Sequence, residues 1–145
     1  NMAQAPITHL ETASYRLAYD AEADILLAEV LHPLSSEEYR AYNDAMLVAL
    51  QQHGTQRLLR DNRANSIIAV EDQEWMEQDW FPRAVRAGLK QAVILESDDV
   101  FNQAAVQNVT DNLAPKLAKV GIQLAMFKTQ EEALAWFRAH TSGGV

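Results

Sequence analysis

The sequence predicts an α/β domain built on one mixed sheet, in the order β-β-α-β-α-β-α-β-α, with helices mainly on one face. Three observations carry that prediction. A hairpin signature occupies residues 14–30, short apolar runs then alternate with stretches of helical period, and glycines fall where those helices should stop. Right-handed crossovers make the later strand pairings parallel, while the opening hairpin is antiparallel.

The elements follow in order. Tyr15, Leu17 and Tyr19 alternate with Ser14, Arg16 and Ala18, as one half-buried strand requires. Asp20 to Asp24 is a polar turn, and Ile25, Leu26, Leu27 and Val30 form the return strand. His32-Pro33-Leu34 breaks it. Ser35 and Glu38 then form a capping box, in which a hydroxyl and a carboxylate satisfy backbone N–H groups at a helix start. Leu34 and Tyr39 are spaced as its hydrophobic staple. Tyr39, Tyr42, Met46, Ala49 and Leu50 keep one helical face apolar, and Gly54 is placed as a C-terminal cap. "RLLRD" reads as a short strand. From about Glu71 to Ala87 the pattern is helical, with Pro82 expected to kink or restart the helix because it lacks an N–H. "QAVIL" is a continuous apolar run, the mark of a strand buried on both faces. A helix interrupted or bent at Pro115 and ended by Gly121 precedes the strand "IQLAMF". In "KTQEEALAWFRAH", Thr129 and Glu132 form a second capping box, with Ala133, Trp136 and Phe137 toward the core.

The chain has 145 residues, 48% of them hydrophobic, which suits one domain with one core. Residues 14–140 are assigned to that domain, 1–13 to an N-terminal extension and 141–145 to a flexible tail. Asn1 ahead of Met2 is expected to be a cloning remnant. No internal repeat, low-complexity tract or linker is visible. No apolar run reaches the ~20 residues of a membrane span, and no signal peptide pattern is present, so a soluble, cytoplasmic protein without membrane insertion is expected. The absence of cysteine excludes disulfides, thiol catalysis and cysteine metal sites. A net charge of −8 opposes binding to nucleic acid phosphates.

Three stretches carry a family resemblance: "YDAEADILLAEV", "FPRAVRAGLKQAVIL" followed by "DDVF", and the ending "MFKTQEEALAWF". With the element order, they are similar to small bacterial STAS-like proteins, grouped near the anti-sigma-factor antagonists and the CRAL-TRIO lipid-binding fold. The resemblance covers nearly the whole chain, and its best motif, the last, is structural. It implies a STAS-like fold and a regulatory, protein-binding role. In the antagonists a serine at the start of the helix after the third core strand is phosphorylated, which breaks the partner complex. The matching start here is "AVEDQEW". Glu71 and Asp72 stand where that hydroxyl would be, and both suit the positive end of a helix dipole. Ser66 lies earlier, in the loop, and is a weak phosphorylation candidate. The acids instead suggest a permanent imitation of the phosphorylated state.

No catalytic set emerges. Gly-x-Ser-x-Gly, phosphate-loop and dinucleotide-loop patterns are all missing. His9, His32, His53 and His140 lack metal-ligand spacing, and His53 and His140 have an ordinary explanation at helix C-termini. The acid pairs Glu71/Asp72, Glu77/Asp79 and Asp98/Asp99 read as solvated faces. No metal or cofactor is expected. In "LLRDNRANS", Arg60, Asn62, Arg63 and Asn65 have the chemistry to hold a carboxylate or phosphate at a strand end, against the plainer reading of a self-satisfied Asx-type turn. Asp61, Asn62 and Arg63 rank first there as contacts. Trp75, Trp80, Phe81 and Phe101 are the aromatic candidates. Trp75 and Trp80 would point ~140° apart on an ideal helix, so both cannot face one narrow core stripe. Two functions are thus expected: a non-enzymatic STAS-like domain binding a protein partner or itself as a homodimer, or a carrier or sensor of a small apolar or lipid-like ligand. A pocket above ~300 Å³ walled by those aromatics would favour the second.

Overall fold

The computed structural model describes residues 5–140. It is an α/β fold, with a six-stranded mixed sheet in the order β1-β2-β3-β4-β5-β6. The strands are β1 (Ile7–Glu11), β2 (Tyr15–Asp20), β3 (Ile25–Val30), β4 (Arg57–Asp61), β5 (Gln91–Leu95) and β6 (Gln123–Phe127). The helices are α1 (Ser36–His53), α2 (Val70–Trp75), α3 (Phe81–Arg86), α4 (Val100–Val120) and α5 (Gln130–Ala139). A π-helical turn, Met76–Trp80, joins α2 to α3, so these make one continuous unit. β1, β2 and β3 pair antiparallel, and β3 to β6 pair parallel.

The observed order has one strand more than expected. Residues 7–11, assigned above to an extension, form edge strand β1, with Ile7 opposite Tyr19 and Glu11 opposite Arg16. Its apolar residues Ile7 and Leu10 are exposed and out of alternation, and the register shifts between Thr8 and Leu10. An irregular edge strand therefore lacks the period-two signal of a half-buried one. The expected tail, 141–145, lies outside the described residues.

Strand order explains the layering. Strands that follow one another across a sheet through right-handed crossovers place every crossover helix on the same face. On that face α1, the α2–α3 unit and α4 cover Leu17, Leu26, Ala28, Leu58 and Ile94, with Tyr42, Met46, Leu50, Met76, Trp80 and Phe81 among the buried side chains. α5 follows the last strand and is free of that constraint. It packs Ala133 and Phe137 on the opposite face, over Ile25, Leu59, Val93 and Leu95. Arg57 helps hold it there: its guanidinium donates to the Phe137 carbonyl at 2.8 Å and lies over the Phe137 ring.

Local chemistry fixes the helix ends. The Ser35–Glu38 and Thr129–Glu132 capping boxes are both complete. Gly54 and Gly121 close α1 and α4 in the left-handed region, at φ of 64° and 74°, which L side chains adopt only with strain. The two interior prolines differ. Pro115 lies within the unbroken α4. At Pro82 the helix restarts as expected: α3 begins at Phe81, directly after the π-helical turn, and Pro82 sits in its first turn, where a missing N–H costs little.

Candidate functional site

β4 builds the site. Side chains alternate along a strand, so Leu58, Arg60 and Asn62 point to the three-helix face, while Arg57, Leu59 and Asp61 point toward α5. Beneath the α2–α3 unit and α4, that first face meets an apolar cleft of about 90 Å³. Met76, Phe81, Val106, Val109 and Leu113 supply much of its wall, and Trp80 closes one side. The cleft extends along α4 from Val106 to Leu117, about 16 Å at the helical rise.

Arg60 is the unusual member. It is only 8% exposed, yet no carboxylate pairs with it among the described residues. Its Nε has no hydrogen-bond partner. The guanidinium rests instead between two aromatic faces, 5.5 Å from the Trp80 ring centre and 5.8 Å from that of Tyr42. Such contacts offset part of the cost of burying a cation, by about 0.5–2 kcal/mol each, whereas desolvation costs several. Two further buried atoms lack partners here: the Tyr42 hydroxyl and Asn62 Oδ1. Burial pushes both Tyr39 and Tyr42 above the ordinary phenol range, and the positive charge of Arg60, next in size, pulls the other way. Both hydroxyls are therefore protonated donors at neutral pH.

Trp80 is positioned by its own hydrogen bond, Nε1 donating to the Asn43 carbonyl at 2.6 Å. The π-helical turn delivers it: one extra residue per turn changes the angle between Trp75 and Trp80 from that of an ideal helix. Trp75 stays outside the cleft, edge-on to Tyr39 and beneath the Arg40 and Arg83 guanidinium groups. A second small polar cluster adjoins it. Buried Asp72 accepts from Arg40 Nε and Ser36 Oγ, both at 2.8 Å.

The sequence candidates thus separate. Asn62, Trp80 and Phe81 line the cleft; Trp75 and Phe101 do not. Phe101 is 64% exposed at the start of α4. Asp61 and Arg63 satisfy each other through a bidentate ion pair, and the Asp61 carboxylate also accepts from the Arg63 backbone N–H. That is an Asx-type turn, and it leaves neither residue facing the cleft. Ser66 is half-buried, three residues before the α2 cap position, Ala69, which offers no capping side chain. Arg60, outside the short list of first-ranked contacts, is the one that turns inward. Alternation along "RLLRD" signals that Arg60 and Asp61 diverge, but not which of them meets the helices.

Elsewhere the fold unites residues 44 positions apart. His9 Nδ1 and His53 Nε2 lie 2.9 Å apart, and His53 stacks on Tyr19 at 4.4 Å. Burial, then the charge of His9, lowers the His53 pKa, outweighing the helix-end effect expected from sequence. No group of three or more potential metal ligands occurs among the described residues. None of the helices described is long and apolar enough to cross a membrane.

Fold and site together define an α/β mixed-sheet domain with a cation buried beside an apolar cleft. No protein-family model matches the chain, and no curated protein shows significant similarity to it.

Proposed function

We propose that this protein is a non-enzymatic binding domain, a carrier or sensor of a small amphipathic ligand held between β4, the α2–α3 unit and α4. The observation that carries the reading is the buried, unpaired Arg60 beside an apolar cleft. An apolar wall with a few convergent polar groups is the usual composition of a ligand site. The cleft, about 90 Å³, falls short of the ~300 Å³ expected from sequence, and only Trp80 and Phe81 of the four expected aromatics wall it, so the reading narrows to a small ligand. Methyl NMR spectra recorded during a titration with hexan-1-ol test this. Shifts at Val106, Val109 and Leu113 are expected; an unchanged spectrum at millimolar alcohol would overturn the reading.

A second reading keeps the STAS-like assignment at its centre: a bacterial, cytoplasmic, regulatory domain that binds a protein partner or a second copy, without a phosphoserine switch. The exposed Ile67, Val70, Val100 and Phe101 favour it. They belong to the segments that follow β4 and β5, where open α/β sheets commonly bind. Sedimentation velocity tests the self-association form. A concentration-dependent dimer lost in Phe101→Ser and retained in Ser66→Asp supports it, and a monomer at all concentrations refutes it.

A further inference from the structure

We infer that the cleft is built for a monocarboxylate with a linear apolar chain, its carboxylate on Arg60 and its chain along α4. The inference rests on the ligand reading above and adds the headgroup. Arg60 offers a planar fork of donors that matches a carboxylate in geometry. Among the described residues no carboxylate pairs with it, and its guanidinium lies against the rings of Tyr42 and Trp80. One guanidinium neutralises one negative charge, so a monoanion fits where a dianion would leave an uncompensated charge in apolar surroundings. The neighbouring Tyr42 hydroxyl is without a partner.

The remaining wall specifies the other end of the ligand. From Ile94 and Val106 to Leu117 and Leu124 the lining is almost entirely aliphatic, with Thr110 the polar exception. It offers a chain no charged group and no polar pair to satisfy. Phe81 belongs both to this cleft and to an open groove between α3 and α4, which carries Arg86, Lys116 and Lys119. Those surface cations offer a rival place for an anion on a chain of net charge −8.

Calorimetric titration of the full chain with hexanoate and with hexan-1-ol separates the two levels of the argument. Hexanoate is expected to bind at least tenfold more tightly than the alcohol, with affinity rising about fourfold per methylene from butyrate until the cleft is full. Arg60→Met should lose that tenfold preference and keep alcohol binding, which also reports an intact cleft. Arg60→Lys, which retains the charge without the fork, should keep part of the preference. Equal binding of acid and alcohol by the wild type would overturn the headgroup assignment and leave the ligand reading standing. A preference unchanged in Arg60→Met but abolished in Lys116→Glu/Lys119→Glu would move the carboxylate to the outer groove, which also overturns it. Binding of neither probe would sink both readings.

Discussion

The guanidinium of Arg60 and the indole of Trp80 face each other at 5.5 Å, and the same indole donates a 2.6 Å hydrogen bond to the carbonyl of Asn43 in α1. Trp80 therefore ties α1 to the α2–α3 unit while forming one wall against the buried cation. Trp80→Phe removes the donor and leaves a void. A loss of about 1–3 kcal/mol in urea unfolding is expected, from an unsatisfied carbonyl and lost packing. A loss below ~0.5 kcal/mol would mean that the hydrogen bond is not formed in solution.

The His9–His53 pair makes stability depend on pH. His53 has its pKa lowered, first by burial and then by His9. The unfolded chain then takes up this proton at a higher pH than the folded chain does. The group's contribution is complete above the ordinary imidazole value of 6.5 and is lost as pH falls through and below it. Urea midpoints measured from pH 8 to pH 5 should decline, and His53→Gln should flatten the decline. An identical slope in the variant would show that another group is responsible.

Asp72 is buried, and its partner Arg40 is half-exposed. Arg40→Met would leave the carboxylate with Ser36 alone, and would also take the cation from above the Trp75 ring. Because Arg40 is solvent-screened, the expected loss is about 1–2 kcal/mol rather than the full cost of a broken buried pair. Chemical denaturation of the variant measures it.

Ala69 precedes α2 with extended backbone, φ −59° and ψ 147°, and supplies no capping hydrogen bond. A serine there can accept from a first-turn N–H. Ala69→Ser should raise stability by about 0.5–1 kcal/mol, seen as a higher urea midpoint at unchanged slope. The helix start here carries the acids Glu71 and Asp72 and no hydroxyl.

The helices were legible because their signals are local. A capping box spans four residues, so Ser35–Glu38 and Thr129–Glu132 mark their helices wherever those pack. Gly54 and Gly121 end α1 and α4 for an equally local reason. The apolar runs of β3 and β5 likewise declared themselves, because strands covered on both faces need few polar residues. The site was legible only in part: Asn62, Trp80 and Phe81 line the cleft, whereas Asp61 and Arg63 consume each other in a turn.

The sequence alone determined an α/β order from β2 onward, the capped ends of α1, α4 and α5, and the alternation along β2 and β4. Tertiary structure decided the rest. Period-two alternation separates Arg60 from Asp61 but does not say which face receives the three crossover helices; right-handed connection across the sheet decides that. β1 forms only because β2 offers an edge, and His9 meets His53 only through that pairing and the packing of α1. Trp80 reaches the cleft through a π-helical turn that shifts the helical phase before Pro82. For the sheet and the histidine pair the deciding interaction links residues far apart in sequence, and its free energy exists only once the chain has closed the intervening loops.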